Sequence, residues 1–142
     1  SDVAAELTAA ALKKIGLAPK LKSALNTTRG GALRDLHCLD EAKMSGLAAH
    51  DLTPKDFRPC TLLGAVCIEL GDLAAGHAWY VYAEKRGATS RSIDQELRSL
   101  LSRALPDEQG RIREFLIDQD PVRFAWLSNW RHTERSVNVN FR

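Results

Sequence analysis

The sequence predicts an all-α chain built from short helices that pair into hairpins, and three observations carry that prediction. Apolar residues recur at helical spacing, most clearly as Leu63, Val66, Cys67 and Leu70, which form one stripe. Glycine and proline punctuate such runs, at Gly16, Pro19, Gly71, Gly87, Pro106 and Pro121. Residues also recur at an offset of 34: Thr27 with Thr61, Gly30 with Gly64, Leu36 with Leu70, Leu39 with Leu73 and Ala49 with Ala83 are identical.

Taken in order, residues 2–15 are rich in alanine and leucine and contain no glycine or proline, which predicts a leading helix. Its expected buried stripe is Leu7, Ala11, Leu12 and Ile15, with Gly16 and Pro19 closing it. Residues 23–56 and 57–90 then read as two hairpins. In the second, Gly64 lies on the stripe side, where a neighbouring backbone can approach closely. Gly71 ends its first helix and Asp72 supplies an N-cap for the next, which carries Ala75, Trp79, Tyr82 and Ala83. Residues 91–120 read as a third, degenerate pair. One helix over 92–104 has Ile93, Leu97, Leu100, Leu101 and Ala104 on one side, and another opens at Pro106 and buries Ile112, Phe115 and Leu116. After Pro121 comes a short amphipathic helix with Phe124 and Leu127 inward and Trp126 or Trp130 beside them. Residues 1–130 form one domain on this reading, and 131–142, where Val137, Val139 and Phe141 alternate with polar residues, an extended tail.

The unit starting at Phe57 resembles a tetratricopeptide repeat. Cys60 stands at the place of the family's first Trp, Leu63-Gly64 match its Leu-Gly pair, Cys67 replaces its Tyr, and Gly71, Tyr80 and Ala83 fill the turn, aromatic and second-alanine places. Gly76 and Ala88 depart from the first alanine and the terminal proline. The preceding unit matches through Ala42, Gly46, Ala49 and Pro54, and residues 78–87 are similar to the second helix of Sel1-type repeats. The resemblance implies a right-handed superhelical stack of about three hairpins with capping helices at both ends. It also implies a concave groove lined by Thr27, Arg34, Asp35, Arg58, Thr61, Ile68, Glu69, Gln95, Ser99 and Arg103, together with Gly31, Ala65 and Ser102. A protein or peptide partner, held by hydrogen bonds and Arg–carboxylate pairs, is the implied function. The competing reading of those positions is a merely solvated set of helix faces. Thr27 and Gly31 occupy places where some members carry Lys and Asn to grip a C-terminal carboxylate, so that specialised activity is not expected.

Other classes fare worse. With 20 basic and 18 acidic residues the net charge is +2, which exerts no general pull toward nucleic acid or an acidic membrane. Arg111, Arg113, Arg123, Arg131, Arg135 and Arg142, interleaved with Phe124, Trp126, Trp130 and Phe141, supply the alternative of a nucleic-acid-binding repeat. A second alternative is a self-assembling subunit joined through the terminal helices or the tryptophan-rich C-terminus. The apolar run near the N-terminus carries Glu6, Lys13 and Lys14, so neither a signal peptide nor a membrane span is expected. Cys38, Cys60 and Cys67 are an odd number without a C-x-x-C pair, which suits a reduced, cytoplasmic protein. His37, His50, His77 and His132 lack metal-ligand spacing. There is no G-x-G-x-x-G, G-K-[ST] or G-x-S-x-G motif. A non-enzymatic chain without cofactor or metal is the expectation.

Overall fold

The computed structural model describes residues 2–14 and 18–130, with side chains of 11–14 left aside. Described residues form seven α-helices: α1 (Asp2–Lys14), α2 (Pro19–Asp35), α3 (Leu39–Leu52), α4 (Phe57–Leu70), α5 (Leu73–Lys85), α6 (Ser90–Arg103) and α7 (Pro106–Gln119). A 3-10 turn follows at Ala125–Ser128. Two compact units result, Ser1–Asp94 and Gln95–Arg142, with the boundary inside α6. The expected tail, 131–142, lies outside the described residues, as does Gly16.

Local chemistry sets the helix ends. Pro19, expected to close the first helix, instead opens α2 at its first position, where a missing N–H leaves no bond unmade. The α2–α3 and α4–α5 turns are copies of each other. At the first, His37 adopts φ +60°, its N–H donates to the Arg34 carbonyl at 2.9 Å, and Cys38 N–H donates to the Leu33 carbonyl at 2.9 Å. At the second, 34 residues on, Gly71 adopts φ +89°, its N–H reaches the Ile68 carbonyl at 3.0 Å and Asp72 N–H the Cys67 carbonyl at 2.9 Å. Both are Schellman endings, which satisfy carbonyls that the last helical turn leaves open. Asp56 and Asp72 cap α4 and α5 by accepting from Arg58 and Ala75 N–H at 3.0 and 3.2 Å.

His37 holds a backbone conformation that costs an L-residue roughly 1–2 kcal/mol, partly offset in a glycine by the flexibility it loses on folding. His37→Gly is therefore expected to stabilise the fold by about 0.5–1 kcal/mol, read as a raised urea midpoint. A lower midpoint would mean that the exposed imidazole makes a contact that the turn depends on.

In the first unit α4 is buried around most of its circumference: Pro59, Cys60 and every residue from Leu62 to Ile68 are inside. Helices α2 and α3 pack on one side of it and α5 on another. Small residues make this possible at repeated places. A methyl group added at Gly30 would stand 2.6 Å from Leu62 Cδ2 and 3.4 Å from the Ala42 carbonyl oxygen; at Gly76, 34 positions after Ala42, it would stand 2.7 Å from Ile68 and 3.0 Å from the carbonyl oxygen of Gly64. The space at Gly64 itself is filled by the Tyr80 ring, not by a bare backbone as the sequence suggests. Ser23, only 1% exposed, ties the start of α2 to the end of α3, its hydroxyl donating to the Ala49 carbonyl at 3.0 Å with Thr53 Oγ1 2.5 Å away. On α1 the expected stripe is not the buried side: Leu7 is 65% exposed, while Ala5 packs against Leu33, Ala42, Leu62 and Val66. A short side chain lets the helix come close to α2, where leucine would hold it off. Ala11, Leu12 and Ile15 lie outside the described side chains.

The second unit gathers Leu97, Leu100, Leu101, Ile112, Leu116, Phe124 and Leu127, all buried. Gln109, buried among them, donates through Nε2 to the carbonyls of Leu101 at 2.9 Å and Ala104 at 3.2 Å, closing the end of α6. The segment expected as a short amphipathic helix is a turn leading into one 3-10 turn, with Leu127 N–H bonded to the Phe124 carbonyl at 3.0 Å. Four residues are too few for a stable α-turn ladder, and i→i+3 bonding suits them. Trp126 and Trp130 are half-buried, and the Arg98 guanidinium lies 4.4 Å from the Trp126 ring centre.

Candidate functional site

Helices α2 and α4 touch, and their repeat carries over to side chains. Thr27 donates its hydroxyl to the Ser23 carbonyl at 2.9 Å, and Thr61, 34 residues later, donates to the Phe57 carbonyl at 3.2 Å. Each hydroxyl spends its proton within its own helix and keeps its lone pairs, so both threonines are equipped to accept from a ligand's N–H. Between them, nothing lies within 4 Å of where a side chain on Gly31 would start.

The charged members behave differently from one another. Arg34 on α2 and Glu69 on α4 form an ion pair, with side chains only 12% and 16% exposed. That pair is a strut between the two hairpins, and its charges are already spent on each other. Arg58 is 67% exposed, leans over the Phe57 ring at 5.2 Å and reaches Asp56 at 3.3 Å. Such an exposed contact holds it weakly. Asp35 is exposed. Ile68, expected along the groove, is 2% exposed and packs at Gly76, and Ala65 is buried completely. Gln95, Ser99 and Arg103 all lie exposed on the part of α6 in the second unit, where Arg103 Nη1 donates to Ser99 Oγ at 2.8 Å. In the first unit the structure therefore brings together Thr27, Arg34, Thr61 and Glu69, leaves Asp35 and Arg58 open and withdraws Ile68.

A second cluster was not anticipated by reading the chain. His50 on α3 meets Trp79 on α5 edge to face at 5.0 Å, Trp79 meets Tyr82 at 5.6 Å, and the Arg86 guanidinium stacks over Tyr82 at 5.1 Å while Nε donates to the Pro54 carbonyl at 2.6 Å. The sequence signal was there in α5, whose stretch from Leu73 to Ala83 holds no charged residue.

Beneath that cluster, Cys60 Sγ lies 3.8 Å from His50 Nδ1. This is not an activated nucleophile: burial pushes the Cys60 thiol up, Arg86 opposing only in part, and burial does the same to Cys67. Because each folded-state value is raised, the folded chain holds those protons more tightly than the unfolded chain does. Their contribution to stability is complete below the ordinary thiol range and is lost as pH rises through the folded values. In native protein at pH 8 a thiol reagent is expected to label half-buried Cys38 promptly and the other two only at the rate of opening; equal labelling of all three would contradict their burial.

Among the described residues no group of three or more His, Cys, Asp or Glu could hold a metal ion, and no helix is long and apolar enough to cross a membrane. No family model matches the chain, and no curated protein or solved structure is similar to it.

Proposed function

We propose that the chain is a non-catalytic interaction scaffold of tetratricopeptide-like hairpins, in a reduced, cytoplasmic setting, that takes a peptide or partner helix along α2 and α4. The observation that carries this reading is the 34-residue recurrence of whole turns: His37 and Gly71 share a left-handed backbone and the same pair of hydrogen bonds. Recurrence of small-residue approaches at Gly30 with Ala42 and at Gly76 with Gly64 supports it. On this reading α6 and α7 are a third, more divergent hairpin in the same solenoid.

The binding residues within α2 and α4 are Thr27, Asp35, Arg58 and Thr61, with Arg34 and Glu69 fixing the spacing between helices. A nucleic-acid ligand has less support, since Arg98, Arg103, Arg111, Arg113 and Arg123 are matched by Glu96, Asp107, Glu108, Glu114, Asp118 and Asp120 in the same unit.

The test is capture of a partner by the intact chain, repeated with Thr61→Arg and with Arg58→Glu. Each substitution is expected to abolish capture while the far-UV circular dichroism stays unchanged, and Arg111→Glu on α7 is expected to retain it. Capture that survives both would overturn the placement. Arg34 is unsuitable here, because reversing it sets a second carboxylate beside Glu69 and disturbs the strut.

A further inference from the structure

Helix α5 has no charge between Leu73 and Ala83, yet Ala74, Ala78 and Tyr82 are exposed along one side, Tyr82 by 44%. A helix uncharged around its circumference ordinarily lies buried. Positions 34 residues earlier on α3 hold Met44, Leu47 and Ala48, also exposed, Met44 by 70%. The His50–Trp79 contact joins the two helices, so these side chains belong to neighbouring strips of one unit.

At equivalent positions the strips are opposites. Met44 corresponds to Ala78, Ala48 to Tyr82 and exposed Asp51 to exposed Lys85: large against small, small against large, acid against base. Each set falls on one helix face, at spacings of three and four. Helices α3 and α5 each return through a short turn from the preceding helix, so they run in the same sense. A two-fold axis parallel to them and midway between them lays α3 of one copy on α5 of another with these positions in register, and makes every contact twice. Asp40 and Glu41 then face the partner's Ala74 and Ala75, and no like charges meet along the strip.

We propose that the chain forms such a dimer, with Met44 on the partner's Ala78, Ala48 under the partner's Tyr82 and Asp51 against the partner's Lys85. This is independent of the α2–α4 reading and uses other helices. The contact is two helices wide and about 20 Å long, at the small end of specific interfaces, and association in the micromolar range follows.

Sedimentation equilibrium of the intact chain across that range is expected to show the mass rising from 15.7 kDa toward twice that value. Met44→Glu and Tyr82→Glu are each expected to hold it at one chain, with unchanged circular dichroism since both side chains face outward. Asp51→Lys and Lys85→Asp should each weaken association by about tenfold, because two attractive contacts become repulsive. The double exchange should restore it. A single-chain mass at every concentration would overturn the proposal and assign the strip to a different partner. So would a dimer that Met44→Glu leaves intact, or a double exchange that restores nothing.

Discussion

Gly64→Leu is expected to cost the fold about 1–3 kcal/mol by overpacking, which at roughly 3 °C per kcal/mol lowers the melting temperature by several degrees. The first methyl alone would stand 2.6 Å from the Tyr80 ring, and that ring is 2% exposed with helices around it. Neither side can give way cheaply, because the glycine sits inside the most buried helix and the ring fills the only space available to it. Gly31→Leu is the matched control. The same change on α2 meets nothing within 4 Å and trades a helical glycine for a better helix former. It is expected to leave stability unchanged or raise it slightly. Equal losses at the two positions, measured by calorimetry, would remove the case for Gly64 as a packing position.

Leu63→Ala is expected to be as damaging or more so, at about 2–5 kcal/mol. Leu63 is completely buried, and its Cγ and Cδ2 occupy the space that Gly46 on α3 leaves open, at 2.9 and 2.8 Å from where that residue's methyl would be. Truncation opens a hole between two helix backbones that hydrogen bonding keeps straight, so little collapse can fill it. A urea titration should show a lower midpoint with an unchanged slope. Leu105→Ala, at a leucine 68% exposed, should shift the midpoint hardly at all. A loss below about 0.5 kcal/mol at Leu63 would mean that α3 and α4 do not pack as described.

Much of the fold was legible because its signals are local. Asp56, Asp72 and Gly71 act within one turn of helix, and the stripe through Leu63, Val66 and Cys67 reports burial directly. His37 at a turn position usual for glycine was visible from the 34-residue register alone. The site was less legible, since the register could name Arg34 and Glu69 but not that they neutralise each other, and could name Ile68 but not that Gly76 gives it a buried seat. The α1 stripe failed for a related reason: leucines at helical spacing mark an apolar face, but the helix approaches its neighbour by the face that allows the shorter distance.

The sequence by itself determined that this chain is helical, where most helices begin and end, and that two of its hairpins are built to one pattern. Those properties depend on caps, turn residues and periodicity, whose energies act over a few neighbouring residues. Only the tertiary structure decided which glycine is filled by which ring, that α4 is enclosed by α2, α3 and α5, and that His50 and Trp79 meet. Each of these depends on close packing between segments tens of residues apart, where a shift of one ångström turns contact into clash and no local propensity carries the information.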